Sequence, residues 1–307
     1  MSQTSAVPTP PQSSPPQVSP VPARPGEQPG RSPEEQAKVD LIGKIDVYAG
    51  TDRDTALFQC LNNWRDLNIC GRVLTNDRLG LSKALQFYLR DQVKLRGGLL
   101  QIPAPVAYIE VEQNGSATDV LLLILDFLSN PLDCGTLRDL RSRVWGTLKA
   151  YGVNILIVNN ADLLSFNAFT ELVRISEKLG IPIVIAGQPY LNDAINPSSN
   201  AKKKYTNVYN TFLRSHTFSM MSPGDAQATI KMWEASLKWP KPMQLSEDAE
   251  IVTSLHENSR GQLRPLIEAL REVALWKLDH PKAQVNYKNI NNLLMGNLQP
   301  CPQPGKS

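Results

Sequence analysis

The sequence predicts an α/β chain: a parallel sheet covered by helices on both faces, followed by a small all-helical domain. Three observations predict it. Two short runs, NILIVNN (154–160) and IPIVIAG (181–187), are apolar at nearly every position over the length of a strand, as strands buried on both faces are. Longer segments with helical periodicity separate these runs, the alternation expected of parallel strands joined by crossover helices. From about residue 222 onward the strand-like runs stop and only helical periodicity remains.

Taken in order, residues 1–35 read as a disordered tail. Ten of the 24 prolines fall within 1–33, among Ser, Gln, Thr and Gly, and such a composition buries too little apolar area to offset the entropy of ordering. A solvated leader or a docking peptide for a partner both fit it. TDRDTALFQCLNNWRDLN (51–68) reads as an amphipathic helix capped by Thr51 or Asp52. CGRVLT (70–75) reads as a strand, LSKALQFYLRDQVK (81–94) as a helix, and PVAYIEVE (105–112) as β-rich. TDVLLLILDFLS (118–129), TLRDLRSRVWGTLKAYG (136–152) and FNAFTELVRISEKLG (166–180) read as helices, the last ending at Gly180. SHTFSMM (215–221) is a candidate fifth strand. The helical part begins with Ser222 and Pro223 in the cap and first-turn positions, continues from Ser246 and from Gly261, and closes with a shorter helix at 287–295. The expected boundaries are therefore a core at 36–221, a helical lid domain at 222–296 and a second disordered tail at 297–307.

Composition excludes several classes. Net charge is +3, too mild to imply nucleic acid by itself. Four widely spaced cysteines (Cys60, Cys70, Cys134, Cys301) without a C-x-x-C pair argue against a disulfide framework or zinc site and for a reducing, cytoplasmic setting. Three scattered histidines give no metal centre, so no metal site is expected. No apolar run approaches the ~18 residues of a membrane span, and the N-terminus lacks the basic start and apolar stretch of a signal peptide.

Three segments then stand where a phosphate-binding P-loop protein keeps its chemistry. Between strand and helix, G-x-x-x-x-G-K-[ST] is replaced by Thr75-x-x-x-x-Gly80-Leu81-Ser82. The second glycine and the hydroxyl keep their register, but leucine stands where a lysine would reach the β- and γ-phosphates. Lys83 lies ~200° around the helix from Leu81, which sends its stem to the opposite side. In ILIVNNAD (155–162) the apolar strand ends in Asn159 and Asn160, where an Asp would hold magnesium and a Glu would activate water. Asparagine keeps the shape and loses the charge. The run IVIAGQPYL (183–191) places Gln188 where a polar group would sense the phosphates.

With these segments in this order, the chain resembles the TniB/TnsC-type AAA+ regulators of transposition over roughly residues 40–295. The resemblance is carried by RVLTNDRLGLSKA, GVNILIVNNADLL, LGIPIVIAGQPYL, NTFLRSHTFSMMSPGDAQATIKMWE and SRGQLRPLIEALREVAL. It implies a P-loop NTPase-like core with a helical lid, Arg214 acting in trans on a neighbour's nucleotide, and Arg264 as a lid residue that senses nucleotide. It also implies ATP binding, assembly on duplex DNA, and recruitment of a transposase and a target-selecting protein. The chain departs from that family at Thr75, Leu81, Asn159 and Asn160. No catalytic residue is therefore expected, and no cofactor, with ATP and magnesium left as an alternative. The nucleotide site that remains is degenerate: Thr75, Arg78, Gly80, Leu81, Ser82, Gln188 and Arg264.

Other candidates have two readings each. Arg138, Arg141 and Arg143 share a helix, as a solvated face or as contacts to a DNA backbone. Lys202, Lys203 and Lys204 lie in a loop, exposed or bound to DNA. The five tryptophans read as core, and Asp162 as the residue that starts a turn. The resulting expectation is a pseudo-ATPase that works as a scaffold or regulator. Its partners would be duplex DNA and further copies of itself or an active relative. The rival is an unorthodox ATPase in which Arg78, Lys83 or a neighbour's residue compensates.

Overall fold

The computed structural model describes residues 31–76, 79–97, 99–131, 135–198 and 200–296. Its centre is a five-stranded, all-parallel sheet built from β1 (Gly71–Thr75), β4 (Val106–Glu110), β5 (Ile155–Asn159), β6 (Ile183–Gly187) and β7 (Arg214–Phe218). The spatial order is β4-β5-β6-β1-β7. A two-residue hairpin, β2 (Leu95–Arg96) and β3 (Leu99–Leu100), stands apart.

Alternation along the strands divides the core into two faces. Ala107 and Ile109, Leu156 and Val158, and Ile183 and Ile185 point to one face. There they meet α4 (Ala117–Phe127), α5 (Leu137–Ala150), α6 (Phe166–Leu179) and α8 (Thr206–Thr211). Val106 and Tyr108, Ile155 and Ile157, and Val184 and Ala186 point to the other, against α2 (Asp52–Asp66) and α3 (Leu81–Gln92). Strands apolar at every position are therefore covered on both sides, and the alternation behind each run is the period of two of a pleated strand.

A third cluster holds α9 (Pro223–Leu237), α10 (Ala249–Ser259), α11 (Leu263–Asp279) and α12 (Tyr287–Leu294) around Trp233, Leu255, Leu270 and Ile290. It also takes in an element that the sequence reading lacks, α1 (Pro33–Lys44), whose Ile42 is buried there with Ile45 beyond its end. The first three residues of α1 lie inside the segment expected to be a disordered tail. The reason is local: Ser32 and Glu35 form a reciprocal capping box and Pro33 takes the first turn, which outweighs the proline-rich composition upstream.

Three further differences concern where helices begin. The lysine loop is a turn of 3-10 helix, Asn200–Tyr205, leading directly into α8. A short helix, α7 (Tyr190–Ile195), follows β6. α10 is capped by Asp248, whose carboxylate accepts from the amides of Glu250 and Ile251, so the helix starts after that residue and not at Ser246. By contrast, α9 has Ser222 as its cap and Pro223 at its start. β7 is an edge strand exposed along much of its length. Among the described residues, no helix is long and apolar enough to cross a membrane.

Candidate functional site

At the C-terminal ends of β1, β5 and β6 lies a cavity of about 460 Å³, roofed by α11. The turn from β1 into α3 forms its floor, with Gly80 at φ 91°, a left-handed conformation that glycine adopts without strain. Leu263 of the roof packs onto that glycine, and a Cβ there would stand 2.5 Å from Leu263 Cδ2. A buried arginine holds the turn from behind. Arg53 on α2 donates to the carbonyls of Leu79 and Ser219, both at 2.9 Å, and stacks over Phe218. Burial pulls its basicity below the usual value, against the raising effect of Asp54.

The residues that would handle magnesium and the terminal phosphate form an uncharged cluster. Asn159 is 2% exposed, and its amide donates to Ser82 Oγ at 2.8 Å and to the Tyr108 hydroxyl at 3.0 Å. Tyr108 donates onward to Glu110 at 3.0 Å. Asn160 bonds the other Glu110 oxygen and the carbonyl of Val111, both at 3.2 Å. Its φ of 54° lies in the left-handed region, where asparagine is among the few residues found regularly. Burial, and then the Glu110 charge, push the Tyr108 phenol well above its ordinary pKa, so it stays a donor. Leu81 is 3% exposed and packs into the core beneath α3.

Lys83 is placed differently from its sequence reading. Leu81 is buried among the core residues beneath α3 and also lines the cavity, and Lys83, two residues on, lines it too. There Lys83 pairs with Asp46 from the segment after α1. The sequence reading also lacked Arg271. On α11, Arg264, Ile267, Glu268 and Arg271 follow the spacing of a single helix face, and all line the cavity. Arg264 pairs with Glu268 at 3.0 Å while largely exposed, and Arg271 donates to the carbonyl of Ile45 at 3.1 Å. The lid's helical spacing made the second arginine findable. The segment holding Asp46 and Ile45 carries no motif.

The remaining candidates are scattered. Thr75 and Gln188 line the cavity, and Arg78 lies outside the described residues. Asp162 Oδ1 accepts from the Gln188 amide at 3.2 Å and packs over Gly187, where a Cβ would collide with it. Asp162 therefore shapes the turn after β6. Arg214 opens the edge strand, exposed and away from the cavity lining. Burial lowers the pKa of nearby His216. Arg138 is exposed, but Arg141 makes two bonds, 2.7 and 2.6 Å, to Glu171, which also pairs with Arg174. Arg143 bonds Asn130. Lys203 is exposed, Lys202 bonds the carbonyl of Asp193, and Lys204 sits over the Phe166 ring at 4.8 Å. Among the described residues, no three His, Cys, Asp or Glu side chains cluster in a way that could hold a metal.

Residues 70–195 match the family described as AAA domain. No curated protein matches the chain. Among 156 matching solved chains is one from "Structure of Drosophila ORC bound to DNA". It is 12% identical, with a TM-score of 0.50, and the match covers 90% of this chain and 70% of that one. The strand order, the cavity at the strand ends and these matches agree on one fold: a P-loop NTPase-like α/β core of the AAA+ kind, with the similarity to the AAA domain lying in residues 70–195.

Proposed function

We propose that this chain is an AAA+ module that does not turn over ATP and acts as a scaffold or regulator in a transposition-related assembly on DNA. One observation carries the reading: Asn159 meets Ser82 with an amide donor where a metal site needs a carboxylate. A neutral amide attracts no cation, and its N–H already occupies the hydroxyl that a magnesium would use. The residues present therefore do not fit magnesium-bound ATP. Leu81 adds no charge, and Leu263 covers the glycine that a phosphate would approach. A fold shared with a DNA-bound ORC chain supports a place on duplex DNA, and the resemblance to transposition regulators supports a transposase or target-selecting protein as partner. Exposed Arg214 suits a contact with another copy or with an active relative, and on such a relative's ATP it would act in trans.

A second reading, a non-standard ATPase that regulates transposition by assembling on DNA, draws on Lys83, Arg264 and Arg271, three cations lining one cavity. Titration with ATP and magnesium, by calorimetry and thermal shift together, decides between the two. The scaffold reading expects neither heat nor shift up to millimolar nucleotide. Micromolar binding with turnover would replace it by the second.

A further inference from the structure

Beside the C-terminal end of α11 lies a groove of about 820 Å³, larger than the cavity beneath the start of that helix and sharing no lining residue with it. One lip is the turn after α9, running from Trp239 to Met243 through Pro240 and Pro242. The other is the loop after α11, from Pro281 to Val285. Trp239, Met243 and Val285 pack against the buried cluster of the helical domain, so the floor is apolar and continuous with that core. The groove is built and held. Lys277 donates to the carbonyls of Pro281 at 3.0 Å and Ala283 at 2.7 Å, which fixes the second lip. The prolines stiffen both lips, so little order is lost on binding.

Three more lysines stand at the rim, Lys38 from α1, Lys241 and Lys282, all exposed and without an ion pair among the described residues. No Asp or Glu occurs among the described residues that line the groove. The nearby Asp279 is held by Arg31 at 3.0 Å, and Glu35 by the cap of α1. An apolar trough ringed by unpaired ammonium groups has a definite complement. We propose that the groove docks an acidic peptide segment of a partner protein, its apolar side chains on Trp239 and Met243 and its carboxylates on Lys38, Lys241 and Lys282. Duplex DNA fits less well, since a convex rod of phosphates brings nothing apolar to fill the floor. This assignment does not depend on the state of the nucleotide cavity.

The test is selection of displayed random peptides on the full chain, followed by anisotropy with the best selected peptide, synthesised with a fluorescein label. Selection should enrich Asp or Glu together with Leu, Phe or Met. Affinity should fall about tenfold or more for the combined variant Lys38→Glu, Lys241→Glu, Lys282→Glu, and should weaken as salt rises. All three positions are exposed, and an unchanged melting temperature shows that the variant is folded. Met243→Asp, at the floor, should weaken binding without touching the lysines. Neutral or basic selected peptides, no enrichment, or equal binding by the charge-reversed variant would overturn the proposal. Displacement of the peptide by a short DNA duplex, with duplex binding lost in the same variant, would reassign the groove to nucleic acid.

Discussion

Replacing Asn159 by alanine tests whether the amide cluster at the strand ends holds the P-loop turn to the sheet. The side chain is 2% exposed and makes two hydrogen bonds, to Ser82 Oγ at 2.8 Å and to the Tyr108 hydroxyl at 3.0 Å. Each bond contributes about 1 kcal/mol net, and the vacated volume adds a smaller cavity cost. Tyr108 keeps Glu110 as acceptor, so no donor is orphaned and the loss stays moderate. The expected destabilisation is about 2–3 kcal/mol, or a melting temperature lower by about 4–10 °C. Urea and thermal unfolding of the full chain measure it. Asn159→Asp is the informative companion. It loses a donor and sets a second carboxylate beside Glu110, its partner in the β4–β5 register. It should lose about 1–2 kcal/mol in metal-free buffer and recover part of that in magnesium, while the parent protein ignores magnesium. Asn159→Ala within about 0.5 kcal/mol of the parent, at the scale of ordinary surface changes, would refute the clamp.

Gly187→Ala should destabilise by about 1–3 kcal/mol, because a Cβ meets the Asp162 carboxylate, and the double variant with Asp162→Ala should regain part of it in the same unfolding assay. Arg53→Met should cost about 3 kcal/mol in urea unfolding, since it strands the buried carbonyl of Leu79 together with the charge of Asp54 and frees the part-buried carbonyl of Ser219. Leu81→Lys, offered as a restored phosphate ligand, should lower stability by about 2–4 kcal/mol without conferring ATP binding in calorimetry, because that side chain points into the core. In DNA binding by anisotropy, Arg138→Ala and Lys203→Ala should each reduce the salt slope by about one. Arg141→Ala should leave the slope alone and lower the melting temperature, its guanidinium being committed to Glu171.

How much of the cavity was legible depended on where each residue's information lay. The turn from β1 into α3, the asparagines ending β5 and the glutamine after β6 were found because strand, turn and helix chemistry are local. The same local rules gave the cap of α9, and they overlooked the capping box of α1 only because the proline-rich stretch before it dominates the composition. Lys83 was expected to leave on the side opposite Leu81, yet both residues line the cavity, which a helical angle alone does not reveal. Arg271 and Asp46 reach the cavity from the lid and from the segment after α1, and no spacing in the sequence ties either of them to β1.

By itself, then, the sequence determined the alternation of buried strands and helices, the switch to an all-helical part, and the uncharged side chains at Leu81, Asn159 and Asn160. Periodicity, capping and residue chemistry act over a few neighbours and are written in the chain. Tertiary structure alone decided that Asn159 and Asn160 join a hydrogen-bonded cluster ending on Glu110, and that Leu263 closes over Gly80. It alone set Lys83 against Asp46 and drew Lys38, Lys241 and Lys282 around one apolar groove. These groups lie tens to hundreds of residues apart in the chain, and their meeting depends on how helices and sheet pack, which no local pattern encodes.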